Sequence, residues 1–195
     1  MQKELRYTST IRDFPLMYFE MKKTAILLCE GNNEEDILLL SIKDNIYQLD
    51  KDKRRRSLPL KMTKRLATIN ITLINALASS SADEGKLIAF IALMKAERLV
   101  FEYMHDVYAS KANFDIILDI DFMHFIDRLA TNNETIANWK PDTLKNLNSK
   151  IKSILCDAGL AKRTKKGIVV QKPIAIEELF SLIDEDDMVY AKAIC

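Results

Sequence analysis

Four glycines and four prolines in 195 residues leave this chain few places to turn sharply. An all-β domain of this length needs many tight turns, so the scarcity points to helices. Leu, Ile, Lys and Ala are the commonest residues, and most of these favour helix. The rare breakers punctuate the pattern. Pro141 suits the first turn of a helix over Asp142–Ala158, whose apolar residues Leu144, Leu147, Ile151, Ile154, Leu155 and Ala158 recur with a 3.6-residue period. Gly159 stands where a left-handed cap would end that helix. Leu160–Thr164 and Ile168–Gln171 then flank Lys165-Lys166-Gly167, which reads as a hairpin with Gly167 left-handed in a three-residue loop.

With Leu118–Ala130 and Glu134–Trp139 before it, this stretch has the order of a winged helix-turn-helix. Residues 141–175 carry eight basic and two acidic side chains, in a chain whose net charge is only +1. Charge concentrated in this way suits a polyanion. The hairpin would offer Lys162, Arg163, Lys165 and Lys166 to phosphates, and the helix would offer Lys145 and Asn146 to a groove. A second cluster spans Asp50–Arg65, again with eight basic and two acidic residues. Within it Lys53, Arg54, Arg55, Arg56, Lys61 and Lys64 are candidate phosphate contacts, against the plainer reading of a solvated helix face.

The N-terminal part reads as helices over Phe14–Glu30, Glu34–Ile42 and Leu60–Ala78, followed by a long apolar helix from Asp83 to about Ala109. Glu97 falls on the apolar side of that helix, and an ion pair with Arg65 or Arg128 would satisfy it. The expected organisation is mostly α: a multi-helix bundle with a C-terminal winged helix-turn-helix-like region and one small β-hairpin. The division falls at residues 1–115, with the long central helix, and residues 116–195. A further helix is expected over Ala175–Ile183, before an acidic tail.

Several function classes have no support. Cys29, Cys156 and Cys195 show neither metal spacing nor a disulfide framework, and Cys29 and Cys156 read as core thiols. His105 and His124 lack ligand partners at zinc spacing, and no phosphate loop or nucleophile elbow is present. No enzyme activity, cofactor or metal is therefore expected. No apolar run reaches membrane-spanning length and the first residues lack a signal-peptide core, so a cytoplasmic location is expected.

Phe122-x-x-Phe125, Ala137-x-Trp139, Thr143, Leu147 and Ile154–Leu160, preceded by the long apolar helix, resemble the BrxA family. Tyr7-Thr8-Ser9-Thr10, Gly31 and Lys64-Arg65-Leu66 fit the same order, so the resemblance runs from Tyr7 to Lys172. It implies a cytoplasmic, mostly helical accessory of bacteriophage exclusion (BREX) defence that binds double-stranded DNA without enzymatic activity. It also implies likeness to NusB, an RNA-binding factor, and other BREX proteins as partners. An adapter between BREX components and a NusB-like RNA binder are the alternative readings.

Overall fold

The computed structural model describes residues 5–174 and 177–195. The chain is mostly α, with one small antiparallel sheet, and divides into two compact units. Residues 17–96 form one unit, and residues 1–16 with 97–195 form the other.

The unit 17–96 is a bundle of α1 (Tyr18–Cys29), α2 (Glu34–Lys43), α3 (Asp52–Leu66), α4 (Ile71–Ser79) and α5 (Ala82–Ala96). Helix α1 packs on α3, α4 and α5, and α2 packs on α3. Met21, Ile37, Leu58, Met62, Leu73 and Ile88 are wholly buried in it. Gly31 ends α1 at φ 91°, with the Gly31 and Asn32 N–H groups returning to the Leu28 and Leu27 carbonyls. The helix expected over Leu60–Ala78 is two helices. The Asn70 side chain accepts from the Leu73 N–H at 2.8 Å and starts α4, so its polarity serves as a cap.

The charged segment before Leu60 is itself helical, because the cost of Pro59 inside α3 is met from outside. Proline has no N–H for the Arg55 carbonyl four residues earlier. The buried Ser41 hydroxyl on α2 donates to that carbonyl at 2.7 Å.

The expected continuous helix over Asp83–Ala109 is broken. Helix α5 ends at Ala96, Glu97 is extended (φ −131°, ψ 96°), and α6 (Arg98–Tyr103) runs on into a π-helical turn over Met104–Tyr108. Glu97 is buried and accepts from the Thr8 hydroxyl at 2.8 Å and the Thr10 hydroxyl at 3.4 Å. Threonine hydroxyls are thus among the partners of this carboxylate, and Arg128 pairs with Asp106. The same N-terminal segment sends the Tyr7 hydroxyl to the Glu102 carboxylate, and Arg98 stacks 4.3 Å above the Tyr7 ring. Burial, then the bond to Glu102, pushes the Tyr7 hydroxyl up to about 12.

In the unit that holds residues 97–195, β1 (Ile116–Ile117) is followed by α7 (Asp119–Ala130), α8 (Glu134–Ala137) and α9 (Pro141–Asp157). Then come β2 (Ala161–Arg163), β3 (Ile168–Val170), α10 (Glu177–Ser181) and α11 (Met188–Lys192). The helix expected from Ala175 therefore begins on residues outside the described set. The sheet order is β1-β3-β2, antiparallel throughout, with Ile117 opposite Ile168 and Lys162 opposite Val169. β1 escaped the sequence reading because two residues carry no periodicity.

Phe122 and Phe125 pack around the buried Tyr103, and Leu147, Ile151, Ile154 and Leu155 bury the apolar side of α9. Gly159 is left-handed (φ 78°) and closes α9, as expected. Gly167 is not left-handed. It is needed for space instead, since a Cβ there would lie 2.3 Å from the Ile117 carbonyl oxygen.

Candidate nucleic-acid interface

Helix α9 has two working sides. The apolar side just described holds it to the unit. The other is a stripe of Pro141, Leu144, Lys145, Asn148, Ser149 and Lys152, which recurs at helical spacing and faces the β2–β3 hairpin. Between them lies a groove of about 680 Å³, completed by Arg163, Thr164, Lys165, Lys166, Gly167 and Ile168 from the hairpin and by Asp119 and Met123 from α7. The Thr164 N–H donates to the Gly167 carbonyl at 2.9 Å, and the Gly167 N–H donates to the Thr164 hydroxyl at 3.2 Å. These bonds shape a tight loop that holds Lys165 and Lys166 in solvent.

Five cationic side chains and one carboxylate therefore line the groove. The carboxylate is Asp119, at the first turn of α7. It accepts from Lys152 Nζ at 2.6 Å and from the Asn148 side-chain amide. Those bonds, that from Lys152 foremost, hold the Asp119 carboxyl below the usual carboxylate range. Lys152 is buried on α9, so its ammonium group is committed to this pair. Lys145, Arg163, Lys165 and Lys166 remain exposed and form the cationic rim.

Of the hairpin and α9 residues expected to meet nucleic acid, four (Lys145, Arg163, Lys165 and Lys166) line one groove. Lys162 and Asn146 are exposed but lie outside it. Lys152, Asn148, Ser149 and Asp119 were missed by the sequence reading. Their signal was present as the helical recurrence of positions 141 to 152, masked because Leu144 reads as core by itself.

The other cluster lies on α3, in the unit 17–96. Lys53, Arg56 and Lys64 are exposed and recur at helical spacing, so they share one side of α3. Arg55 is held by the Leu49 carbonyl at 2.8 Å and by Asp52 at 3.4 Å. Arg54 and Lys61 are half-buried and engaged in interactions of their own. Arg65 is wholly buried.

Among the described residues no group of three or more His, Cys, Asp or Glu side chains is placed to hold a metal ion, and no helix is long and apolar enough to cross a membrane. Cys29 is exposed rather than a core thiol, and its sulfur lies 3.1 Å from the Asn75 side-chain oxygen. Cys156 is half-buried, and burial pushes its thiol up, away from thiolate reactivity.

A sequence model of the family described as BrxA matches residues 5–187. A protein described as "BREX protein BrxA", from Bacillus cereus (strain H3081.97), is 31% identical over 176 residues, or 89% of this chain and 88% of that protein. In fold the chain is similar to a crystal structure of an uncharacterized protein from Magnetospirillum magneticum, with a TM-score of 0.81, 97% of this chain and 98% of that one covered. At 20% identity that likeness concerns the fold alone.

Proposed function

Because the chain belongs to the BrxA family, we propose that it is a non-enzymatic accessory of a BREX phage-defence system that binds double-stranded DNA. The observation that carries this reading is the groove between α9 and the hairpin, with its rim of Lys145, Arg163, Lys165 and Lys166. In this reading α7, α8 and α9 act as a helix-turn-helix and the β2–β3 hairpin as its wing. A concave channel between a helix and a hairpin suits the convex ridge of one sugar–phosphate strand. The α9 stripe then lies toward the major groove, and the hairpin cations meet phosphates on the other flank.

Binding of this kind is dominated by the backbone. Lysine and arginine neutralise phosphates and release counterions, which makes affinity fall steeply with salt. Base reading is left to few side chains, Asn146 and Ser149 on α9 being the exposed polar ones, so sequence preference is modest. Lys53, Arg56 and Lys64 on α3 supply a second phosphate-binding surface in the same mechanism. Family membership makes other proteins of such a system the expected protein partners.

Fluorescence anisotropy tests the proposal with a labelled duplex, the corresponding single strand and an RNA hairpin, each across a salt series. The duplex is expected to bind most tightly and to show the steepest salt dependence. Preference for the RNA, or no binding to the duplex at low salt, overturns it.

A further inference from the structure

The strand β1 is preceded by a residue in an unfavourable conformation. The Asp115 N–H closes a turn on the Ala112 carbonyl at 3.1 Å, and within it Phe114 adopts φ 72°. The Phe114 N–H donates to the Val170 carbonyl at 2.9 Å, and the Val170 N–H donates to the Asp115 carbonyl at 2.8 Å. Two residues thus oppose one, in a β-bulge whose left-handed first position glycine normally fills. A phenylalanine there is strained, and its side chain is 73% exposed. The unit's own packing gains little from an aromatic ring at this position.

The residues that follow extend the same surface. Ile116 and Leu118 are exposed on either side of the wholly buried Ile117, so both stand on the outer side of the strand. Ile120 and Met123 continue the apolar surface onto α7. β1 is an edge strand. The bonds of Val170 set the alternation of the ladder, which directs the Ile116 N–H and C=O away from β3. Edge strands are commonly blunted by charge or proline. The one charge between residues 114 and 118 is Asp115, and it is turned back onto the Ala112 N–H at 2.8 Å.

We propose that this edge is where two copies of the chain pair, β1 against β1, antiparallel about a two-fold axis at Ile116. The choice of a second copy rests on the sequence of the edge being complementary to itself. The two-fold sets Ile116 opposite its own equivalent and Phe114 opposite Leu118, at both ends. Asp115 falls opposite Ile117, and Asp119 falls opposite Asn113, so no carboxylate meets another. The ladder bonds left open at Ile116 are made reciprocally, and the two small sheets become one of six strands. This pairing does not depend on the DNA-binding reading.

Sedimentation of the full chain over a concentration series tests it. The wild-type chain is expected to go from monomer to dimer as concentration rises, with slower amide hydrogen exchange at Ile116. Ile116→Lys is expected to remain monomeric. Phe114→Gly is expected to weaken pairing by at least tenfold while melting no lower than wild type as a monomer, because glycine relieves the strained φ. A wild-type chain that stays monomeric at every concentration overturns the proposal, as does a dimer that Ile116→Lys leaves intact.

Discussion

Asp119 decides how much of the positive charge in the α9–hairpin groove is open to an anion. Its carboxylate holds the buried Lys152 and adds a negative charge to a site otherwise lined by cations. Asp119→Asn should therefore move two properties in opposite directions. Losing the charged hydrogen bond to Lys152 should cost about 1 kcal/mol, since Asp119 is itself exposed and solvent screens the pair. Duplex affinity should rise and its salt slope should steepen by about one, because Lys152 becomes available to phosphate. Chemical denaturation and anisotropy on the same variant check the two halves. The sign with pH follows from the depressed carboxyl of Asp119. Its contribution is present above the ordinary value of 3.8 and is lost as pH falls through the lower folded-state value. The stability gap between wild type and Asp119→Asn should stay constant above pH 3.8 and close below it, as denaturation at a series of pH values would show. The cations of this site were legible in the sequence as a charge run. Asp119 was not, because its role depends on Lys152, which lies 33 residues away.

At the scale of elements, two glycines separate a conformational requirement from a steric one. Gly159 is left-handed with open space around it, so Gly159→Ala should cost about 1 kcal/mol and leave duplex binding unchanged. Gly167 would place a Cβ against the Ile117 carbonyl, so Gly167→Ala must displace β1 or the hairpin. It should lower the melting temperature more than Gly159→Ala does and weaken duplex binding as well. Melting curves and anisotropy on both variants test the contrast. The helices that periodicity predicted, α1, α2, α7 and α9, formed where expected to within a few residues. The misreadings share a cause. A break at Glu97 held by threonines from the N-terminal segment, and a proline-containing α3 completed by Ser41 of α2, depend on residues far away in sequence.

For the whole molecule, the two basic clusters belong to different compact units, α3 in residues 17–96 and the groove in the unit that holds residues 97–195. Charge reversal can therefore be applied to each cluster separately. Reversing Lys145, Arg163, Lys165 and Lys166 should remove most duplex affinity and reduce the salt slope by roughly one for each phosphate no longer neutralised. Reversing Lys53, Arg56 and Lys64 should weaken binding by less, since these side chains share one side of a single helix and do not flank a strand from two elements. Salt-dependent anisotropy on both variants measures the difference, and equal losses would refute the ranking. By itself the sequence determined the helical class, the two ends of α9, the hairpin and the concentration of charge. Each of these is set by local periodicity, capping and composition. It also carried the family resemblance, mostly through core positions such as Phe122, Phe125, Leu147, Ile154 and Leu155. Only the tertiary structure decided which cations share a groove, where the long helix breaks, and that a third strand follows a strained, exposed Phe114. Those features arise from contacts between residues distant in the chain, and no local pattern encodes them.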